Sequence, residues 1–229
     1  MQRKSKFTVA DNTVAAEGQM KNSNTVYYLG NPAAARRLLI VGNSITRHGP
    51  LAEIGWLHDW GMAASAPERD YVHLLTSRLF EKEDLFVMVR QFSEWERHYM
   101  DKGVPACYEA ERAFGADEIV YRLGENVQPF ADAEAKARFG AALEDLIAHL
   151  NPKGGRVYFT TCFWKNERVD SEIRRVAQKL QMPLLELGAL GEDEENMAVG
   201  LFEHRGVAHH PGDLGMQRIA EGLYALMRK

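Results

Sequence analysis

The chain has 229 residues, with 28 basic and 32 acidic side chains, a formal net charge of −4 and 45% hydrophobic content. That length suits one sheet-and-helix domain with a sizeable core, and the near balance of charge, with no long run of one sign, argues against a nucleic-acid polyanion as main partner. No apolar stretch reaches the ~20 residues that cross a bilayer. Met1 to Lys6 is basic with no apolar core behind it, so no membrane contact and no signal peptide are expected, and the expectation is a cytoplasmic location or, alternatively, a leader already removed.

In chain order, residues 1–35 begin polar and then carry Thr25-Val26-Tyr27-Tyr28-Leu29 before Gly30-Asn31-Pro32. This reads as an N-terminal arm or edge strand packed on a single domain at 36–229. Leu38-Leu39-Ile40-Val41 is a run of large aliphatic residues, the pattern of a strand buried on both faces in a parallel sheet. It ends abruptly in Gly42-Asn43-Ser44, a tight turn at the strand's C-terminal end, where open α/β sheets place their ligands. A helix is predicted over 70–82, with Asp70 as its N-cap, and a second strand over Leu85-Phe86-Val87-Met88-Val89.

Ala106 to Phe114 has helical spacing and stops at Gly115. Glu118 to Leu123 reads as a third strand, closed by Gly124. Asp132 to Leu150 is a long amphipathic helix ended by Asn151-Pro152. A fourth strand over 156–161, a helix over 171–180, a fifth strand over 184–187 and a closing helix over 213–227 complete the pattern. Strands alternating with helices imply right-handed crossovers and a parallel sheet covered on both faces. The expected architecture is a three-layer α/β/α sandwich around a parallel five-stranded sheet.

In such a sheet the loops after the first three strands share one crevice. They hold Ser44, then Ser93-Glu94-Trp95-Glu96, then Gly124-Glu125-Asn126. Ser44 is the nucleophile candidate, whereas by itself it would be a small turn residue. The backbone N–H of Ser44, an N–H near Ser93 and the amide of Asn126 are the candidate oxyanion donors. His209-His210-Pro211 precedes the last helix. An imidazole accepts and returns a proton near neutrality, and Pro211 restrains the backbone beside His210, which makes His210 the candidate base.

Gly42-Asn43-Ser44-Ile45-Thr46 resembles the first sequence block of the SGNH/GDSL hydrolases, with Asn43 where that family has Asp. Gly124-Glu125-Asn126 resembles the third block, and His210-Pro211, with Gly215 and Ala220, the fifth. The resemblance implies a flavodoxin-like sheet, a serine nucleophile, a histidine base and ester hydrolysis, often of acetyl groups on carbohydrates. A small-molecule or saccharide ester is the implied substrate, and no cofactor is implied.

Two positions depart from the family pattern. The second block, Gln91-Phe92-Ser93-Glu94-Trp95, lacks its glycine, and Val207 stands where the family's acid precedes the histidine. Glu203, Asp213 or a backbone carbonyl then remain to orient His210; Asp213 is read as the N-cap of the last helix and Glu125 as a loop brace. A rival reading is a catalytically degenerate carbohydrate-binding protein on the same fold. A phosphate or flavin binder is a weaker rival, because neither a Gly-x-Gly-x-x-Gly nor a P-loop lysine is present.

Trp56, Trp60, Trp95 and Trp164 all fall in loops at the predicted ligand edge. For each of them stacking on a sugar ring and core packing under a long loop are equal alternatives, and Trp95, between the two oxyanion loops, is the first candidate for stacking. The other histidines and the two cysteines, Cys107 and Cys162, have no metal-ligand spacing, so no metal site is expected.

Overall fold

A computed structural model describes residues 26–101 and 103–228. The first 25 residues, most of the expected N-terminal arm, lie outside them. Six strands form one sheet: β1 (Val26–Gly30), β2 (Arg36–Gly42), β3 (Leu85–Gln91), β4 (Glu118–Arg122), β5 (Arg156–Thr160) and β6 (Leu184–Leu185). Their spatial order is β1-β3-β2-β4-β5-β6. Five of them are parallel, in the places read from the sequence, and β1 adds an antiparallel edge, with Val26 opposite Arg90 and Gly30 opposite Phe86. The sheet is therefore six-stranded and mostly parallel rather than five-stranded and wholly parallel.

The alternation within β2 sorts the core into two layers. Leu39 and Val41 face the layer built from Phe139, Leu143 and Leu146 of α4 (Ala133–Leu150) and Val169, Ile173 and Val176 of α5 (Glu167–Lys179). Leu38 and Ile40 face Leu75 and Leu79 of α1 (Tyr71–Phe80) and Met216, Ile219 and Leu223 of α7 (Asp213–Met227). All four β2 side chains are fully buried, each contributing roughly 1.5–3 kcal/mol of burial. Two short helices, α2 (Ser93–His98) and α3 (Glu109–Phe114), follow β3, and the single turn α6 (Arg205–Ala208) precedes α7.

The helices start and stop for local reasons. The Asp70 carboxylate accepts from His73 N–H, and Asp132 from Ala135 N–H, each satisfying an orphan donor of a first turn. Helix α3 ends on Gly115, which adopts a left-handed φ of 61°. The expected cap at Asp213 is corrected. Gly212 holds the N-cap position, and the Asp213 carboxylate instead accepts from the Ser65 N–H and hydroxyl, tying the loop after β2 to α7. The chain goes from β2 to β3 on one side and places β4 on the other. The C-terminal end of β2 is therefore the point where the connections reverse and a crevice opens. No helix among the described residues is long and apolar enough to cross a membrane.

Candidate active site

The turn that carries Ser44 is built by close approach. A Cβ on Gly42 would sit 1.8 Å from Thr46 Oγ1, and that hydroxyl is held by Tyr71 OH at 2.7 Å. Thr46 and Arg47 N–H groups both donate to the Asn43 carbonyl, so the chain turns helically as soon as the strand ends. Ser44 is left half-exposed at the mouth, and its N–H makes no hydrogen bond among the described residues.

His210 reaches this serine from 166 residues away: Ser44 Oγ lies 2.8 Å from His210 Nε2. The other ring nitrogen, Nδ1, lies 2.6 Å from the Gly206 carbonyl oxygen. A carbonyl only accepts, so Nδ1 carries the proton and Nε2 is the lone-pair nitrogen facing the serine hydroxyl. Trp164 packs edge-on against the imidazole at 4.8 Å between centroids and is anchored by its own N–H to the His209 carbonyl at 3.0 Å. Burial pushes the His210 pKa down to about 4, against the opposing effect of the Gly206 carbonyl.

A backbone carbonyl, not a carboxylate, faces the His210 ring. Val207 is a buried apolar residue, Glu203 is exposed, and Asp213 is occupied with Ser65. The helical turn α6 aims the Gly206 carbonyl at the ring four residues later. His209 turns its ring to the Arg205 carbonyl instead and does not line the cavity.

Ser44, Ser93, Asn126 and His210 all line one cavity of about 240 Å³, together with His48, Ile54, Met62, Gln91, Arg97, His204, Gly206 and Val207. Ser93 opens α2 rather than a loop, and its N–H already donates to Gln91 Oε1 at 3.1 Å. It is therefore not a ready oxyanion donor. Asn126 is oriented from both ends: its Nδ2 donates to Glu96 Oε2 at 2.6 Å and its Oδ1 accepts from Arg97 Nη2 at 2.9 Å. A carboxylate only accepts and a guanidinium only donates, so this pair of contacts permits one orientation of the amide. One of the two Nδ2 hydrogens remains for a ligand.

Trp95 is corrected. It is fully buried in the core against Tyr99 and Phe139, because α2 turns the chain back onto the sheet face directly after β3. It cannot stack on a ligand. Of the four tryptophans, Trp56 is also buried, and Trp164 is the one in contact with His210.

Behind the cavity lies a buried polar network that spacing alone did not assign. The Asn43 amide donates to Glu125 Oε2 at 2.6 Å and Glu96 Oε1 at 3.1 Å, and its oxygen accepts from Arg122 Nη2. Arg122 Nη1 pairs with Glu125 Oε1 at 2.6 Å, and Phe163 N–H donates to the same oxygen at 2.9 Å. Burial raises the Glu125 pKa, but Arg122 and these donors outweigh it and hold the carboxyl below its ordinary range. Burial, followed by the nearby Glu125 charge, raises that of Glu96. The available sequence signal was a lone arginine, Arg122, in the otherwise apolar run Ile119-Val120-Tyr121, three residues before a glutamate.

Gly124 joins this network with φ +139°, and a Cβ there would meet Cys162 Sγ at 2.5 Å. Cys162 is buried and Cys107 half-buried, and no cluster of three metal-ligating side chains is present among the described residues.

No protein-family profile and no curated protein sequence matches the chain. Solved structures do. TesA superposes with a TM-score of 0.53 at 18% identity over 84% of this chain and 98% of that one. A lipase/acylhydrolase from Enterococcus faecalis gives 0.56 at 15% identity, over 83% and 94%. A two-domain esterase, CEX, active on acetylated mannans, gives 0.53 at 14% identity, over 84% of this chain and 49% of that one. The chain has the fold of these lipases and esterases, as the SGNH/GDSL resemblance implied.

Proposed function

We propose that the protein is a serine ester hydrolase that removes a small acyl group, an O-acetyl group on a saccharide being the proposed substrate. Ser44 Oγ attacks the ester carbonyl carbon while His210 Nε2 takes the hydroxyl proton. The tetrahedral oxyanion lies against Ser44 N–H and Asn126 Nδ2. Collapse breaks the bond to the alcohol, which leaves with the proton from His210 and leaves an acyl-serine. Water, deprotonated by the same nitrogen, attacks the acyl carbon, and the second collapse returns that proton to Ser44 Oγ and releases the acid.

The observation that carries this reading is the line Ser44 Oγ–His210 Nε2 at 2.8 Å and His210 Nδ1–Gly206 O at 2.6 Å. That order of hydroxyl, imidazole and orienting acceptor supports Ser44 as nucleophile and His210 as base, with a carbonyl in the acid's place. The substrate proposal rests on the cavity and on the fold. A volume of about 240 Å³ is below the ~300–1,000 Å³ of sites for drug-sized ligands, which suits a short acyl group. Ile54, Met62 and Val207 offer an apolar surface for a methyl group, while Gln91, Arg97 and His204 offer partners for hydroxyl groups. The esterase of similar fold active on acetylated mannans supports the same class.

The test is release of acetate from an acetylated saccharide and from 4-nitrophenyl acetate, butyrate and octanoate, with Ser44→Ala as control. Turnover that favours acetate and vanishes in Ser44→Ala is expected. Equal rates in wild type and Ser44→Ala would make the chain a binding protein on a hydrolase fold.

A further inference from the structure

Glu96 is fully buried, yet every hydrogen bond drawn to it comes from the two turns that form the site. Oε1 accepts from Gly124 N–H at 2.6 Å and Asn43 Nδ2 at 3.1 Å, with Asn126 N–H at 3.4 Å; Oε2 accepts from Asn126 Nδ2 at 2.6 Å. A carboxylate completely removed from water is costly, and four donors from the first and third loops repay that cost only if those loops keep their places. On the opposite side of Asn126, Arg97 fixes Oδ1.

We propose that Glu96 is the positioning residue of the oxyanion hole, locking the Asn126 amide so that its second Nδ2 hydrogen, and never Oδ1, faces the developing negative charge. The inference rests on the esterase reading above. Its location explains how a chain whose second block lacks the family's glycine keeps that segment in the site: the helix starting at Ser93 carries Glu96 one turn on, beneath Asn126. An amide released from Glu96 would be held at Oδ1 alone, by Arg97, and its Nδ2 would swing out of line with the oxyanion and weaken the attraction.

Glu96→Gln tests this. The two close donors on the Oε1 side, Gly124 and Asn43, hold the single remaining carbonyl oxygen, so the new NH₂ faces Asn126 Nδ2, donor against donor. The expected result is a fall in kcat of roughly 10- to 100-fold with KM within about twofold, the cost of a misplaced catalytic donor. In an Asn126→Ala background the same substitution should change kcat by less than about twofold, because both act through one hydrogen bond. Glu96 effects that multiply with those of Asn126→Ala would overturn the proposal, as would an unchanged kcat.

If Glu96→Gln does not fold, Glu96→Asp replaces it, keeping the charge but falling short of Asn126, with the same expectations. A readout independent of turnover is the Asn126 side-chain amide in a ¹⁵N–¹H spectrum, assigned by its loss in Asn126→Ala. It should be protected from exchange in wild type and exposed in the Glu96 variant. Identical protection in both would sink the proposal. Should wild type and Ser44→Ala hydrolyse esters equally, the esterase reading fails, and this amide signal still decides the Glu96 contact.

Discussion

His210 Nδ1 sits 2.6 Å from the carbonyl oxygen of Gly206, four residues earlier in the helical turn α6. A neutral acceptor holds the ring's orientation but, unlike a carboxylate, adds no full negative charge to stabilise the imidazolium. With burial dominating, the ring pKa falls to about 4.

In the proposed reaction the neutral ring is the base, so kcat/KM should be half-maximal near pH 4 and level from about pH 5 to 7. A base with an ordinary histidine pKa would lose half its rate by about pH 6.5. A pH profile with an acetyl ester distinguishes the two.

The same shift acts on stability. The folded ring resists a proton that the unfolded ring takes up near 6.5, so the unfolded state gains protons first as pH falls. Stability should drop between about pH 6.5 and pH 4, and His210→Asn should lose less over that interval. Thermal melts of both proteins at pH 7 and pH 5 provide the comparison.

Asn43 stands where the resembling family has Asp, and the network explains why. Its NH₂ donates to Glu96 and Glu125 at once. Asn43→Asp would remove two donors and add a third carboxylate to that pocket, with Arg122 the only cation bonded there among the described residues. A destabilisation of about 3 kcal/mol or more is expected. The urea midpoint should fall accordingly; a neutral or stabilising effect would refute this account of the network.

Trp95 and Trp164 should part company. Trp95→Ala empties a core site and should cost about 3–5 kcal/mol of stability, with KM unchanged in the folded fraction. Trp164→Ala removes the ring edge against His210 and should lower kcat by roughly tenfold through a looser base, with a smaller loss of stability. Denaturation curves and steady-state kinetics on both variants check this.

Gly42→Ala should fail for a steric reason, since the added methyl overlaps Thr46 Oγ1, itself bonded to buried Tyr71. Overpacking of this kind costs about 1–3 kcal/mol. The paired substitution Gly42→Ala with Thr46→Ala should recover part of the loss in a melting experiment.

Much was readable locally. Leu38 to Val41 declared a doubly buried strand because burial leaves its mark on consecutive residues, and Asp70 and Asp132 declared helix starts because caps act within three residues. The Ser44 turn, the Asn126 loop and the His210-Pro211 pair could be named because each is a short motif at an element's end. Asp213 and Trp95 were misread for a shared reason. What surrounds a side chain depends on where the next element turns, and neither the Gly212 cap nor the short helix at Ser93 has a hydrophobic period to announce it.

What the sequence by itself determined was the set of parallel strands and the three loops that meet at their ends, since hydrophobic pattern and turn chemistry are short-range properties. Only the tertiary structure decided what stands behind them: the Gly206 carbonyl at His210, Glu96 beneath Asn126, and Arg122 against Glu125. A backbone carbonyl has no residue type to read. The contacts that join Glu96 to Asn43, across 53 residues, and Ser44 to His210, across 166, exist because sheet order brings distant strand ends to one edge.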